Sequence, residues 1–215
     1  MRENRIEKKF VLGKHKEDSL KKFLLTNGFI KHFPDRKISS IYLDTMNYNF
    51  ARDNINGVSE RKKIRFRWYN NDEKTIYIEE KNKKNFQVWK NVDKIQLSKN
   101  DNELVLKLKE YFFSKNKMKN YNYKFILKTD YKRSYWISND KKFRATIDIE
   151  INASSLKNIL KPIYLPDTVL EFKFSPEYES HFREFFNSRS SFLRSQKYSK
   201  YIRSFTALEN SGFFI

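Results

Sequence analysis

The chain has 215 residues, with 45 lysines and arginines against 26 acidic residues, and its formal net charge is +19. A charge of this size predicts an anionic partner, such as nucleic acid, an anionic membrane or a phosphate compound. The sequence has no cysteine and only four glycines, which excludes disulfides, thiolate metal sites and a glycine-rich phosphate loop. The three histidines, His15, His32 and His181, lack the spacing of a metal site.

One domain over residues 1–215 is expected from the length. Hydrophobic residues make up 39% of the chain and many of them are Phe and Tyr; because aromatic side chains bury large areas, a folded core is expected despite the charge. No apolar run has the length of a membrane span, and the charged N-terminus does not resemble a signal peptide. We therefore expect a soluble, cytoplasmic protein.

Alternating apolar and polar residues predict eight strands, with a few helices between them and a final short helix. The predicted strands cover about residues 5–12, 38–44, 62–69, 75–82, 86–91, 124–135, 143–151 and 168–174. The predicted helices cover residues 16–27, 100–113, 176–193 and 195–206, and the polar segment 114–123 is predicted to be a loop. This pattern indicates an α+β protein, and eight antiparallel strands are enough to close a β-barrel.

The polar faces of these strands share one composition. Successive residues of a strand point to opposite faces, and here one face is apolar whereas the other mixes cations with isolated carboxylates and tyrosines. The residues of the polar face are Arg5, Glu7 and Lys9 in the first strand, Lys63, Arg65, Arg67 and Tyr69 in the third, Tyr77, Glu79 and Lys81 in the fourth, Tyr131, Arg133 and Tyr135 in the sixth, Arg144, Thr146, Asp148 and Glu150 in the seventh, and Glu171 and Lys173 in the eighth.

This polar face is compatible with three arrangements. It could be a solvated face of a lysine-rich protein, a flat nucleic-acid surface on an open sheet, or the lining of a closed cavity. In the closed case, burying unpaired cations is costly, so Glu7, Glu79 and Glu171 would offset part of the charge and a polyanion would offset the rest. Arginine favours phosphate because its planar fork forms bidentate contacts, and a divalent metal held by the acids would bridge phosphate oxygens.

Short motifs occur along these strands in a fixed order. They include Arg-x-Arg at residues 65–67, Glu-x-Lys at 79–81 and Tyr-x-Arg at 131–133. The complete series lies at residues 5–10, 39–45, 62–69, 78–81, 131–133, 144–148, 169–173 and 195–201. From about residue 3 to residue 205 the chain resembles the catalytic domain of the VTC (vacuolar transporter chaperone) family, the polyphosphate polymerase branch of the CYTH-like triphosphate tunnel metalloenzymes.

The resemblance implies an α+β fold in which helices flank a closed eight-stranded antiparallel β-barrel that forms a triphosphate tunnel. The catalytic residues that it implies are Lys9, Arg65, Arg67, Lys81, Arg133, Arg144 and Lys200. Its implied phosphate ligands are these same residues together with Lys90 and Lys197. The implied cofactor is Mn²⁺ or Mg²⁺, held by Glu171, with Glu7 and Glu79 as further metal or ion-pair candidates.

The function implied by the resemblance is metal-dependent transfer of the γ-phosphate of ATP to a growing inorganic polyphosphate chain. One alternative is a metal-dependent triphosphatase or polyphosphatase on the same scaffold, with Glu7 or Glu79 orienting water. A second alternative is a non-catalytic module that binds polyphosphate or RNA. The expected partners are ATP and inorganic polyphosphate or triphosphate, without a specific nucleic acid, and a membrane partner is left open.

Three side-chain roles are predicted separately. Lys197 and Lys200 are three residues apart in the predicted last helix, so they would share a helix face. Asp148 would pair with Arg144 or cap the end of its strand. Tyr131, like Tyr42, would either bind phosphate through its hydroxyl or pack against the lining.

Overall fold

The computed structural model describes residues 5–85, 87–97, 104–114, 123–156, 158–189 and 193–212, and these residues form one antiparallel sheet with helices around it. The strands are β1 (Ile6–Leu12), β2 (Phe29–Thr45), β3 (Arg61–Tyr69), β4 (Asp72–Lys84), β5 (Gln87–Gln96), β6 (Tyr123–Ser138), β7 (Arg144–Ser155), β8 (Asn158–Tyr164) and β9 (Thr168–Phe174). The α-helices are α1 (Glu17–Thr26), α2 (Asn49–Ile55), α3 (Leu104–Ser114), α4 (Glu179–Arg189) and α5 (Lys200–Asn210).

The α+β class is confirmed, whereas the closed eight-stranded barrel is not. The sheet has nine strands in the order β1-β9-β7-β6-β2-β3-β4-β5, with β8 paired to β7 beside this path. Within the described ranges, β5 and β1 do not pair, so backbone hydrogen bonds do not close the sheet. The sheet is therefore an open one.

The free edge of β1 is covered by the segment that precedes α5. Phe10 forms an isolated β-bridge with Ser195, and the backbone N–H of Gln196 donates to the carbonyl of Lys9 at 2.9 Å. The Lys9 ammonium also donates to the carbonyl of Tyr198 at 3.1 Å. This segment covers part of an edge that would otherwise present unpaired backbone groups.

Several element boundaries differ from those predicted. β2 begins at Phe29, well before residue 38. The sequence pattern does not predict its mostly exposed first half, because this half contains Pro34 and pairs with β6 through two register shifts. Pro34 and Pro162 are tolerated because both lie where a strand has only one neighbour. β8 is absent from the prediction because a proline argues against a strand. The predicted helix 100–113 and loop 114–123 lie partly outside the described residues, and α3 is described from Leu104.

The apolar faces of the strands lie on the outside of the curved sheet, under the helices. Leu24 of α1 and Phe182 of α4 lie in one cluster with Phe172 of β9. Leu108 of α3 packs in a second cluster with Phe66 of β3. Each large apolar side chain that is fully buried contributes about 1.5–3 kcal/mol, so covering this face turns the polar face inward. No helix in the described part of the chain has the length and hydrophobicity needed to cross a membrane.

Asp44 at the end of β2 connects the sheet to two helices. Its buried carboxylate accepts hydrogen bonds from the backbone N–H groups of Thr45, Phe50 and Ala51 at 2.7, 2.9 and 2.9 Å. The Tyr201 hydroxyl donates to the same carboxylate at 2.6 Å. One side chain thus caps the start of α2 and fixes the start of α5.

Replacing Asp44 with Ala is expected to lower the free energy of unfolding by about 3 kcal/mol, because several buried donors lose their acceptor. Tyr201→Phe removes one of these hydrogen bonds and keeps the ring, so its expected cost is about 1 kcal/mol. Chemical denaturation of both variants measures the difference. Equal losses in the two variants would contradict the capping role of the carboxylate.

Candidate functional site

The inner face of the sheet surrounds a cavity of about 170 Å³, which we call the chamber. Ten of its lining residues are cations and three are carboxylates. The lining residues are Arg5, Glu7, Lys9, Tyr42, Lys63, Arg65, Arg67, Glu79, Lys81, Lys90, Tyr131, Arg133, Val169, Glu171, Lys173, Tyr198, Ser199 and Lys200. The polar faces of seven strands therefore converge on one volume, as expected for a cavity lining and not for a flat sheet surface.

Glu79 of β4 is surrounded by three cations of the chamber. Arg65 donates to its carboxylate through Nε at 2.6 Å, Arg67 approaches it to 3.5 Å, and the Lys90 ammonium lies 2.8 Å away. Burial by itself would raise the pKa of Glu79, but these cations, Arg65 first, lower that pKa well below its usual range. One negative charge is thus shared among three positive charges, and the group stays strongly cationic.

Asp148 of β7 holds a second group of charges together. Arg133 of β6 donates to both of its oxygens, at 2.6 and 2.7 Å, and Lys200 donates to one of them. Burial would raise the pKa of Asp148, but Arg133 and Lys200 lower it well below its usual range. The predicted pairing of Asp148 with Arg144 is wrong, because the register places Arg133 directly opposite Asp148.

Two further carboxylates lie where β1 meets β9. The register places Glu171 opposite Lys9, and Glu7 opposite Lys173. Lys173 lies 3.2 Å from Glu171, and Lys81 of β4 lies 3.4 Å from Glu7. Burial alone would raise the pKa of Glu171, but Lys173 and Lys9 outweigh burial and lower it to about 2. Glu171 is therefore ionised at neutral pH.

The carboxylates of the chamber suit a metal ion that takes its remaining ligands from a bound phosphate compound. No group of three or more His, Cys, Asp or Glu side chains is placed to hold a metal within the described ranges. Mg²⁺ in phosphate sites commonly uses only one or two carboxylates and takes its other ligands from phosphate oxygens and water. Glu171 and Glu7 interact electrostatically across the β1–β9 pair and fit this requirement. Glu79 fits it poorly, because Arg65 and Lys90 hold its two oxygens at 2.6 and 2.8 Å, whereas the ion pairs of Glu171 and Glu7 are 3.2 Å or longer.

Most of the residues implied by the family resemblance lie together. Those that line the chamber are Glu7, Lys9, Arg65, Arg67, Glu79, Lys81, Lys90, Arg133, Glu171 and Lys200. Arg144 does not line it. This exposed residue begins β7, at the end of the sheet, and lines a neighbouring cavity of about 350 Å³ with Asp140 and Lys142.

Lys197 also lies outside the chamber, and the predicted helix 195–206 begins later than expected. Lys197 is exposed, and α5 starts only at Lys200 because Ser199 is its N-cap, accepting from the N–H of Ile202 at 3.4 Å. A serine at this position is a typical helix start. The prediction that Lys197 and Lys200 share a helix face is therefore wrong.

Lys63 is a chamber cation that the family resemblance does not imply as a phosphate ligand. Its ammonium donates to the Ser199 hydroxyl at 2.7 Å, and it has no carboxylate partner among the residues that the structure describes. Burial, followed by repulsion from Lys9 and Arg65, lowers the pKa of Lys63 well below its usual range. The strand alternation alone identified this residue, since it shares a face with Arg65 and Arg67.

The curved sheet with its polar face turned inward is a fold that this chain shares with several solved structures. A candidate adenylate cyclase from Vibrio parahaemolyticus is similar, with a TM-score of 0.54 at 13% identity over 95% of this chain and 99% of that chain. A Hippeastrum protein is described as a candidate adenylyl cyclase with a dominant triphosphatase activity. Its TM-score is 0.54 at 11% identity, over 98% of this chain and 97% of that chain. The PH1819 protein from Pyrococcus horikoshii OT3 has a TM-score of 0.52 at 14% identity, over 96% of this chain and 99% of that chain.

Identities this low establish a shared fold only. The family is established by sequence: the VTC domain model matches residues 4–209, so the chain belongs to the VTC domain family. No curated protein sequence matches the chain.

The ion pairs of Asp148 make the stability of the protein sensitive to acid. Because its folded pKa lies below the unfolded value of about 3.9, its carboxylate stabilises the fold above that pH, and the contribution is lost as the pH falls. Asp148→Asn should lower the free energy of unfolding at neutral pH by about 3 kcal/mol. It should also flatten the decline of that free energy below about pH 4.

Urea denaturation over a series of pH values measures both effects. Asp18→Asn is the matched control, because the Asp18 side chain is 98% exposed. An acid dependence that is equally steep in Asp148→Asn and in the unmodified protein would contradict the assigned ion pairs.

Proposed function

We propose that the chain is a metal-dependent polyphosphate polymerase that transfers the γ-phosphate of ATP to a growing polyphosphate chain in the chamber. The observation that carries the proposal is the convergence of ten cations and only three carboxylates on one cavity. Membership of the VTC domain family supports the same activity. Unpaired buried cations are costly, and a polyanion in the chamber would remove that cost.

The arrangement of the cations suits phosphate groups. Glu79 offsets one of the three charges around it, and Asp148 offsets one of two, so a net positive charge remains in both groups. Arg65 and Arg67 present their guanidinium groups from one strand face, with hydroxyls of Tyr42 and Tyr131 within 3.4 and 3.3 Å. A guanidinium group can donate two parallel hydrogen bonds to two oxygens of one phosphate.

The proposed reaction needs no covalent enzyme intermediate. A terminal oxygen of the polyphosphate chain forms a bond to the γ-phosphorus of ATP, the bond from that phosphorus to the β–γ bridging oxygen breaks, and ADP leaves with the electron pair. The chamber cations stabilise negative charge on the transferring group, and positioning with electrostatics supplies most of the catalysis in such reactions. Glu171 and Glu7 would hold the divalent metal, which neutralises phosphate charge when bound.

A triphosphatase or polyphosphatase is the second candidate, because the similar Hippeastrum protein is described with a dominant triphosphatase activity. Water would then replace the chain end as the nucleophile, and orthophosphate would be the product. Glu7, whose side chain is 24% exposed against 6% for Glu79, is the better placed of the two to orient water from solvent.

Incubation with ATP and Mn²⁺ separates the candidates by their products. Polymer that stains on a gel is the expected result, whereas orthophosphate without polymer would establish the hydrolase. Ligand binding without turnover, measured as a rise in melting temperature with tripolyphosphate, would establish a binding module.

Arg65→Ala and Arg67→Ala are each expected to lower turnover about 100-fold or more, because each removes preorganised donors from the transferring phosphate. Lys62→Ala is the matched control, since Lys62 lies on the other face of β3 and pairs with Glu80 at 3.1 Å. Arg67→Lys keeps the charge near Glu79 but loses the planar guanidinium group. It therefore tests the contribution of the guanidinium donors to turnover even if Arg67→Ala folds poorly. Full activity in the arginine variants would contradict the assignment of Arg65 and Arg67 to the transferring phosphate.

Lys63 predicts proton uptake on ligand binding. Its lowered pKa leaves more of its ammonium deprotonated in the free protein, and a bound polyanion should raise that pKa again. Binding of tripolyphosphate at mildly alkaline pH should therefore take up more protons in the unmodified protein than in Lys63→Met. Calorimetry in buffers of different ionisation enthalpy measures the difference. Lys62→Met is the control, and equal uptake in Lys63→Met would refute the role of Lys63.

A further inference from the structure

β5 lies at one edge of the sheet and has no neighbour on its outer side within the described ranges. It covers the ten residues from Gln87 to Gln96, and its register with β4 runs without a shift. Such an edge presents unpaired backbone N–H and C=O groups, which can pair with another strand. We call this side of β5 the open edge.

The open edge lacks the protection that other edges of this sheet have. The edge of β1 is partly covered by the segment that contains Ser195 and Gln196. β8 is a shorter strand and contains Pro162. β5 contains no proline, and all but one of its residues are at least partly exposed. Proteins usually shorten, cover or interrupt an edge strand, so a long and regular one indicates a place for a partner strand.

The inward face of the open edge alternates apolar residues with lysines. Lys90 points into the chamber, where its ammonium lies 2.8 Å from Glu79. Because alternate residues of a strand share a face, Val88, Val92 and Lys94 lie on the same face as Lys90. The two valines are 42% and 49% exposed. Lys94 is also exposed, and it has no acidic partner in the part of the chain that the structure describes.

We propose that β5 binds an extended acidic segment of a partner protein as an additional strand. Residues directly opposite each other in a sheet stabilise the pairing when apolar side chains or opposite charges meet. The partner strand would therefore place carboxylates opposite Lys90 and Lys94, and apolar side chains opposite Val88 and Val92. One face of that strand would alternate apolar and acidic residues. The net charge of +19 favours the approach of such a segment.

A second copy of this chain fits the open edge less well. The inward face of β5 holds no acidic residue, because Asp93 lies on the opposite face. A two-fold pairing of β5 with itself that continues the sheet places inward residues opposite inward residues, so neither lysine would meet a carboxylate. The charge of +19 on each copy would add repulsion.

Two synthetic peptides test the proposal. In the patterned peptide, valine and glutamate alternate on one face and threonine occupies the other, whereas the scrambled peptide has the same composition in another order. Fluorescence anisotropy at about 150 mM salt, which screens non-specific attraction, measures both affinities. The patterned peptide is expected to bind about fivefold more tightly than the scrambled one. Hydrogen exchange of the β5 backbone should also slow when the patterned peptide binds.

Lys94→Glu is the test variant, since Lys94 is exposed and lies outside the lining of the chamber. It should weaken binding of the patterned peptide about fivefold. Of two further peptides, each with lysine in place of one glutamate, one should restore the affinity to within about twofold. Lys22→Glu is the matched control, because it makes the same change of charge at an exposed lysine of α1 and should leave the affinity within about twofold.

Three results would overturn the proposal. The first is equal affinity for the patterned and scrambled peptides, or binding that leaves hydrogen exchange of β5 unchanged. The second is an equal loss of affinity in Lys94→Glu and Lys22→Glu, which would indicate attraction by the overall charge. The third is a dimer, measured by sedimentation, that protects β5 without peptide and so assigns the open edge to a second copy. The hydrogen-exchange measurement uses the unmodified protein, so it decides the matter even if Lys94→Glu does not fold.

Discussion

Burial of cations around a few ionised carboxylates is the constraint on which the rest of the structure depends. Like charges repel strongly once they leave water, and unpaired buried charges are costly. Glu79 and Asp148 lie at the centres of the two largest charge groups, and the helices that cover the outer face of the sheet force those groups inward. The carboxylates offset part of the positive charge, yet those that line the chamber are too few to neutralise it.

The sequence predicted the chamber well because strand alternation is a local property. A strand fixes which side chains share a face, so Arg65, Arg67 and Lys63 could be grouped before any tertiary contact was known. The strand ends could not be found in this way. Arg144 has the right face but lies at the exposed start of β7, and Lys197 lies before a helix whose first turn depends on Ser199.

Closure of the sheet also lay beyond the sequence pattern. Eight alternating segments are compatible with a barrel, but whether the first and last strands pair depends on what reaches the edge of β1. The segment that includes Ser195 covers that edge, and its polar residues carry no strand-like alternation. The long first half of β2 was missed because Pro34 and its exposed neighbours resemble a loop.

The contact between Glu7 and Lys81 has a mechanical consequence. β1 and β4 are not neighbours in the hydrogen-bonded order of the sheet, and this ion pair joins them with the Lys81 side chain 47% exposed. A surface ion pair contributes only about 0–1 kcal/mol and weakens in salt, whereas a ladder of backbone hydrogen bonds resists separation along its whole length. On this side a side-chain contact, and not a pair of hydrogen-bonded strands, joins β1 to β4, so the two strands can separate there without breaking any strand pairing.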